Sequence, residues 1–210
     1  MGNLVILENT PQMLNNSNKC LAVRSAKVYQ ATYVQHIGID EVRLIGEYLK
    51  ERDRILLFFI FDGCFRVSEA LSIRPCDIKQ VDSGWSVNVL GKGRKRREVA
   101  ISASIAAQVQ SYAYRRGIGQ TDLLFPIKRS WVWQLFQGAM CKAGIVKPDG
   151  VGYVHLMRHS GALVRLSKTG NPQALQDQLG HSSVGMTMRY LRTQGQQQSL
   201  KIQCGVDHKW

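Results

Sequence analysis

The chain has 210 residues, of which 44% are hydrophobic, and this length suits one compact domain with a tail or at most two small domains. Its 28 Lys and Arg outnumber its 15 Asp and Glu, and a net charge of +13 attracts polyanions, most commonly nucleic acid, although a merely basic globular protein also fits. No apolar run reaches the length of a membrane span, no signal peptide is recognisable, and the five cysteines form no C-x-x-C pair. We therefore expect a cytoplasmic, nucleoid-associated protein with reduced thiols and no membrane contact.

The charge is concentrated towards the C-terminus. Residues 128–210 carry 3 acidic and 11 basic residues, whereas residues 37–127 carry 11 acidic and 14 basic residues. We therefore expect any phosphate-binding site to lie in the last third of the chain or to face it.

The N-terminal half predicts an arm followed by two helices. Residues 1–36 show no sustained helical period and are expected to form a loosely structured arm, with the main domain at residues 37–210. Asp40 is a candidate cap for a helix that ends near Lys50. Residues 55–61 are apolar on all sides, which predicts a buried central helix.

A basic hairpin follows. Residues 85–90 alternate as a strand, and residues 98–101 are its expected partner. The residues between them, GKGRKRR, contain two glycines among bases, and this composition predicts a turn with Lys92 near its tip.

The second half predicts helices joined by short links. Ser104 opens a helix that stops near Gly117, and residues 123–126 form an extended link. The next helix spans residues 130–143, with Trp131, Leu135 and Ala139 facing inward. Further helices are expected at residues 156–169, at residues 171–180 with Asn171 as the cap, and around Tyr190, capped by Ser182 or Ser183. The fold class is thus α+β, mostly helical, with one small antiparallel hairpin or sheet.

Several side chains suit cleavage of a phosphodiester without a metal ion. That reaction needs a nucleophile in line with phosphorus, cations for the non-bridging oxygens, and an acid for the leaving oxygen. Arginine suits the second task because its planar fork holds phosphate oxygens in pairs, and tyrosine can be the nucleophile where cations favour its phenolate. The candidates occupy four blocks of the sequence: FRVSEAL at 65–71, GKGRK at 91–95, HLMRH at 155–159, and LGH at 179–181 followed by Tyr190.

Each of these residues also has an ordinary interpretation. Arg66 with Glu69 fits a structural ion pair, and His181 after Gly180 fits a partner for the end of a helix dipole. Tyr190 by itself fits a surface aromatic. His155 and His159 have the spacing of a zinc helix, but Leu156 stands where a metalloprotease has glutamate and Arg158 would repel a dication, so no metal site is expected.

In their order and spacing the four blocks resemble those of the tyrosine recombinases, or phage integrases, over about residues 38–195. That resemblance implies the fold of a tyrosine-recombinase catalytic domain and a site-specific DNA recombinase that cleaves and rejoins strands through a 3′-phosphotyrosine. It also implies integration, excision or inversion at specific sites in double-stranded DNA, by a homotetramer on DNA that needs no cofactor.

The resemblance carries over to individual residues. Arg66 and Arg158 resemble the arginines that clamp the scissile phosphate, and Tyr190 resembles the nucleophile. Lys92 resembles the hairpin lysine that protonates the leaving oxygen, although Lys95 lies on the same turn. The histidines that assist proton transfer correspond to His155 and His181, and the bracing acidic residue to Glu69. For the remaining bases of the turn, namely Arg94, Lys95, Arg96 and Arg97, we expect contacts to the DNA backbone.

Two departures from the family pattern bear on the fold. Cys64 stands where the family often has glycine, two residues before the first arginine, and this departure affects the turn that precedes Arg66. Only about 37 residues precede the first helix, too few for a separate core-binding domain, so the chain resembles either the small single-domain members or a truncated integrase. The positive charge and the motifs also fit two alternative functions. One is a DNA-binding regulator with an idle site, and the other is a DNA-relaxing enzyme like the type IB topoisomerases.

Overall fold

A computed structural model describes residues 36–91 and 96–180 of the chain. Of the predicted arm at residues 1–36, all but His36 lie outside these ranges, as do Lys92, Arg94, Lys95, His181 and Tyr190. The described residues form seven α-helices, a short 3₁₀ helix at Pro75–Asp77, and a three-stranded antiparallel sheet. No helix among them is long and apolar enough to cross a membrane.

The first elements pack around a central helix. Helix α1 spans Ile39–Glu47, α2 spans Glu51–Gly63, and the short α3 spans Val67–Ala70. As predicted, α2 is buried on nearly all sides, with Leu56, Leu57, Phe59 and Ile60 fully enclosed. The expected cap of α1 is wrong, because Gly38 occupies the N-cap and Asp40 lies in the first turn, where its carboxylate accepts from Arg43 at 2.9 Å.

The sheet has one more strand than the sequence predicted. Strand β1 spans Ile78–Val81, β2 spans Gly84–Leu90, and β3 spans Arg96–Ile101, in the order β1-β2-β3. The β2–β3 pair confirms the predicted hairpin, with Trp85 opposite Ile101 and Leu90 opposite Arg96. Strand β1 escaped prediction because it is short and exposed: of its four residues only Ile78 is buried.

The remaining helices follow the predicted order with shifted ends. Helix α4 spans Ala103–Arg115, α5 spans Arg129–Lys142, α6 spans Tyr153–Thr169, and α7 spans Pro172–Leu179. The cap of α4 is Ser102 rather than Ser104. The cap of α7 is Asn171, as predicted, and its Oδ1 accepts from the Ala174 N–H at 3.1 Å.

The predicted inward face of α5 is partly wrong. Val132, Phe136, Ala139 and Met140 are buried, whereas Trp131 is 50% exposed. The apolar residues of α5 surround the helix too evenly for periodicity to identify the buried side, and packing against α1, α2 and α6 decides it.

Helices α2, α6 and α7 meet at the corner of the molecule that carries the candidate residues. At Gly161 a β-carbon would collide with the carbonyl of Phe61, so glycine allows α6 to approach the end of α2 closely. A small core cluster of Cys64, Ala162, Leu163, Leu166, Leu175 and Leu179 then holds α7 against this pair.

Candidate active site

The turn between α2 and α3 positions the first arginine. Cys64 ends α2 in the left-handed conformation, with φ 53° and ψ 38°, and it is fully buried. Cysteine thus adopts the conformation that glycine would adopt without a steric penalty, and the turn forms despite the departure from the family pattern. Burial raises the pKa of the Cys64 thiol to about 11, so the thiol stays protonated as part of the core.

Glu69 organises the site. Its side chain is only 4% exposed, and its Oε1 accepts from Arg66 Nη1 at 2.8 Å and from Arg97 Nη1 at 3.0 Å. Its Oε2 accepts from the Arg66 backbone N–H at 2.8 Å and from Arg97 Nη2 at 3.1 Å. Arg158 Nη1 lies 3.6 Å from the same oxygen. We call these four residues, Arg66, Glu69, Arg97 and Arg158, the arginine–glutamate cluster.

The cluster holds its carboxylate ionised and keeps a surplus of positive charge. Burial by itself would raise the pKa of Glu69, but the hydrogen bonds from Arg97 and Arg66 outweigh it and keep that pKa below its ordinary value of 4.5. Three guanidinium groups therefore surround one carboxylate, a formal charge of +2. Such an arrangement favours an incoming anion such as a phosphate.

The arginines of the cluster differ in exposure. Arg66 keeps 34% of its side chain exposed, whereas the Arg158 side chain is 5% exposed. Arg158 Nη1 donates to the Cys64 carbonyl at 2.6 Å, and Nη2 donates to the Leu179 carbonyl at 2.8 Å. Arg158 thus ties the end of α2 to the end of α7, while Arg66 reaches the surface.

His155 lies on the same side of α6 as Arg158. His155 and Arg66 both line one cavity. Burial lowers the pKa of His155, and the charges of Arg158, Arg129 and Arg66 lower it further, below the ordinary value of 6.5. The imidazole is therefore mainly neutral at pH 7 and can accept a proton.

Four predicted site residues meet in this corner: Arg66, Glu69, His155 and Arg158. Arg96 is exposed on β3, as a contact to DNA requires. Arg97 differs from expectation because its guanidinium binds Glu69 and its side chain is only 16% exposed. Strand alternation could have revealed this position, because Arg97 shares a face of β3 with the buried Val99 and Ile101.

The His155 and His159 rings lie 6.3 Å apart between centroids. Among the described residues, no group of three or more His, Cys, Asp or Glu side chains is placed to hold a metal ion. The cations that surround Glu69 in this corner are the guanidinium groups of Arg66, Arg97 and Arg158.

Comparison with known proteins identifies the family and the fold. The model of the phage integrase family matches residues 35–197. The chain belongs to the phage integrase family. Over 161 residues it is 30% identical to the tyrosine recombinase XerC of Myxococcus xanthus, covering 70% of this chain and 52% of that protein. The chain thus spans about half the length of this curated relative.

Solved structures show the same fold at lower identity. A crystal structure of XerA recombinase superposes with a TM-score of 0.68 at 22% identity, covering 88% of this chain and 68% of that one. The catalytic domain of bacteriophage HP1 integrase gives 0.58 at 21% identity over 75% and 87% of the two chains. The XerH site-specific recombinase bound to its difH substrate gives 0.64 at 22% identity over 76% and 50%. The described fold is therefore that of a tyrosine-recombinase catalytic domain.

Proposed function

We propose that residues 37–210 form the catalytic domain of a site-specific DNA recombinase that cleaves and rejoins strands through a 3′-phosphotyrosine. The observation that supports it most is the arginine–glutamate cluster. It presents Arg66 at the surface, beside a neutral histidine, in a corner with excess positive charge. Family membership and the XerC relative, itself a tyrosine recombinase, support the same reaction.

In this proposal the scissile phosphate lies against Arg66, with Arg158 beneath it. The Tyr190 oxygen attacks phosphorus, and its proton passes to His155. The bond from phosphorus to the 5′ oxygen breaks as Lys92 protonates that oxygen, and His181 holds a non-bridging oxygen. One phosphoester replaces another, so rejoining needs no nucleotide cofactor: a 5′ hydroxyl attacks the phosphotyrosine and releases Tyr190.

We propose double-stranded DNA with specific sites as the partner, since XerH, which shares the fold, is bound to its difH substrate. Exchange between two duplexes breaks four strands, and one subunit for each strand gives a homotetramer on DNA. Arg94, Lys95 and Arg96 are proposed to contact the DNA backbone beside the site.

The test begins with a pool of nicked duplexes with randomised sequence around the nick, because the target sequence is unknown. The pool is incubated with the protein, and duplexes joined covalently to it are recovered under denaturing conditions and sequenced. We expect an enriched sequence for the wild type and for Tyr114→Phe, a matched control at a side chain that is 88% exposed. Tyr190→Phe should bind the enriched duplex and form no adduct.

The outcomes separate the candidate functions. An adduct that persists in Tyr190→Phe shows that another residue is the nucleophile. Stable binding without an adduct by the wild type favours a regulator. Relaxation of a supercoiled plasmid that carries two copies of the site, without recombinant products, favours an enzyme like the type IB topoisomerases.

A further inference from the structure

A cavity of about 450 Å³ opens beside Arg66 and His155. It lies between three segments: the start of α3, the first turns of α5, and the start of α6. Two residues of the sequence motifs, Arg66 and His155, line it, and Arg129 and Trp133 line it from α5. Its volume falls in the range of sites that hold small organic groups, about 300–1,000 Å³.

The cavity combines positive charge with apolar walls. Arg66 and Arg129 line it, and none of its described lining residues is acidic. Trp133 is 44% exposed and meets the Tyr153 ring edge to face, with the centroids 5.3 Å apart, so its indole has a defined orientation. A ligand that fits these walls has an anionic group and a compact, partly apolar body, as a nucleotide does.

Arg129 supplies positive charge from the α5 side of the cavity. It is exposed in the first turn of α5 and makes no ion pair within residues 36–91 and 96–180. Lys128, the N-cap of this 14-residue helix, provides no side-chain hydrogen bond to the first N–H groups. The start of α5 thus places the positive end of a helix dipole and an arginine beside the cavity, and both favour an anion.

We propose that this cavity holds the nucleotide adjacent to the scissile phosphate, with Arg129 on the next phosphate of the strand and Trp133 against the deoxyribose. This inference rests on the proposed function, because Arg66 places the scissile phosphate at the mouth of the cavity. The substrate strand then contacts the protein at two successive phosphates, one at Arg66 and one at Arg129.

Duplexes in which a single phosphate is replaced by an uncharged methylphosphonate test the inference directly. A series of duplexes is made from the sequence enriched above, each with one methylphosphonate near the cleavage position. Equilibrium binding is then measured for the wild type, Arg129→Ala, and Lys142→Ala as the matched control, which removes the same charge from the exposed last turn of α5. Arg129→Ala should bind unmodified DNA about tenfold more weakly, the loss of one charge-assisted hydrogen bond.

The decisive measurement is whether the effects on binding affinity of a protein substitution and of a DNA modification are additive. Non-additive effects, here called coupling, show that the changed side chain and the changed phosphate interact. Neutralising the phosphate next to the scissile one should weaken binding by the wild type and by Lys142→Ala, with little further effect on Arg129→Ala. A three-carbon spacer in place of the intervening nucleoside should likewise weaken the wild type but not Trp133→Ala. Coupling of Arg129 to the scissile phosphate, or to none, would overturn the proposal.

The result stays separate from the proposed function. Covalent adduct formation by the wild type tests the recombinase chemistry, whereas the phosphate coupling is read from equilibrium binding. If no adduct forms, the same series is built on a duplex enriched by binding alone, with the methylphosphonate moved one phosphate at a time. The proposal then requires Arg66→Ala and Arg129→Ala to lose sensitivity to two successive phosphates of one strand. The methylphosphonate series on the wild type gives an independent check that needs no substitution: if neutralising the phosphates that flank the scissile one has no effect on binding, the cavity is not a nucleotide site.

Discussion

Among individual residues, the position of Arg97 decides between two possible roles, a contact to the DNA backbone and the positioning of Arg66. The motif suggested a contact to the DNA backbone, but two hydrogen bonds to Glu69 place it as a positioning residue for Arg66. Its neighbour Arg96 points from the opposite face of β3 and is exposed. The pair thus offers two arginines on one strand, one inside the cluster and one outside it.

Arg97→Ala should slow single-turnover cleavage at saturating DNA by at least about tenfold, because Glu69 loses two hydrogen bonds and holds Arg66 less firmly. Arg96→Ala should instead weaken binding, reduce the salt dependence by about one phosphate contact, and leave the cleavage rate nearly unchanged. Rate and affinity are measured for both variants on the same nicked duplex. If Arg97→Ala behaves like Arg96→Ala, the original prediction of a backbone contact is correct.

Glu69 makes the stability of the fold depend on acid. Its folded-state pKa lies below the ordinary value of 4.5, so its stabilisation is complete above that pH and is lost as the pH falls through the folded-state pKa. Between about pH 5 and pH 3 we expect the free energy of unfolding of the wild type to fall more steeply than that of Glu69→Gln. Urea titrations at several pH values measure this difference.

The control for this titration is Glu98→Gln, which removes one carboxylate from an exposed position on β3. It should keep the steep acid dependence of the wild type. Glu69→Gln should also be less stable at pH 7, by about 3–5 kcal/mol, because it leaves buried arginines without their carboxylate. Equal slopes for the wild type and Glu69→Gln would show that the cluster does not depress this pKa.

Among the elements, α7 is joined to β3 and to the end of α2 by the side chain of Gln178. Gln178 Oε1 accepts from the Ala100 N–H at 3.0 Å, and its Nε2 donates to the Ala100 carbonyl at 2.7 Å and to the Gly63 carbonyl at 3.2 Å. One amide thus pairs with the open edge of β3 and with the end of α2. Two residues later the chain leaves α7 towards His181.

Gln178→Ala should lower the free energy of unfolding by about 1 kcal/mol, because water replaces part of the hydrogen bonding that the Gln178 amide provides. The local effect should be larger: hydrogen exchange at the Ala100 amide should accelerate, because that N–H loses its partner. Gln173→Ala, an exposed change on the same helix, is the control and should alter neither quantity. Unchanged protection at Ala100 in Gln178→Ala would contradict the assigned hydrogen bond.

The sequence predicted the order of these elements better than their contacts. Periodicity and caps located α2, the hairpin, α4 to α7 and the glycine at the end of α7, because those signals are local. Strand β1 and the buried face of α5 depend on what packs against them, and so does the partner of Gln178. The site shows the same division: Arg66, Glu69, His155 and Arg158 follow from motif spacing, whereas the link from Arg97 to Glu69 joins residues 28 apart in sequence.

At the scale of the whole molecule, two kinds of electrostatic interaction respond differently to salt. The net charge of +13 favours binding of DNA, the proposed partner, through exposed groups, and ions in solution screen that attraction. The arginine–glutamate cluster is largely buried, so salt screens it much less. Self-repulsion among the surplus cations also decreases as salt rises.

Raising the salt from about 50 to about 200 mM should therefore weaken DNA binding by about 10²–10⁴-fold, as expected for several phosphate contacts. Over the same range the urea midpoint of the free protein should stay constant or rise slightly.

Adduct formation at low salt should persist in EDTA, because the proposed charge stabilisation comes from arginine rather than a divalent ion. Binding is measured by fluorescence anisotropy with the enriched duplex, and cleavage by the denaturing gel. Loss of adduct in EDTA that Mg²⁺ restores would show that a divalent ion takes part, and a urea midpoint that falls with salt would show that exposed ion pairs, rather than the buried cluster, stabilise the fold.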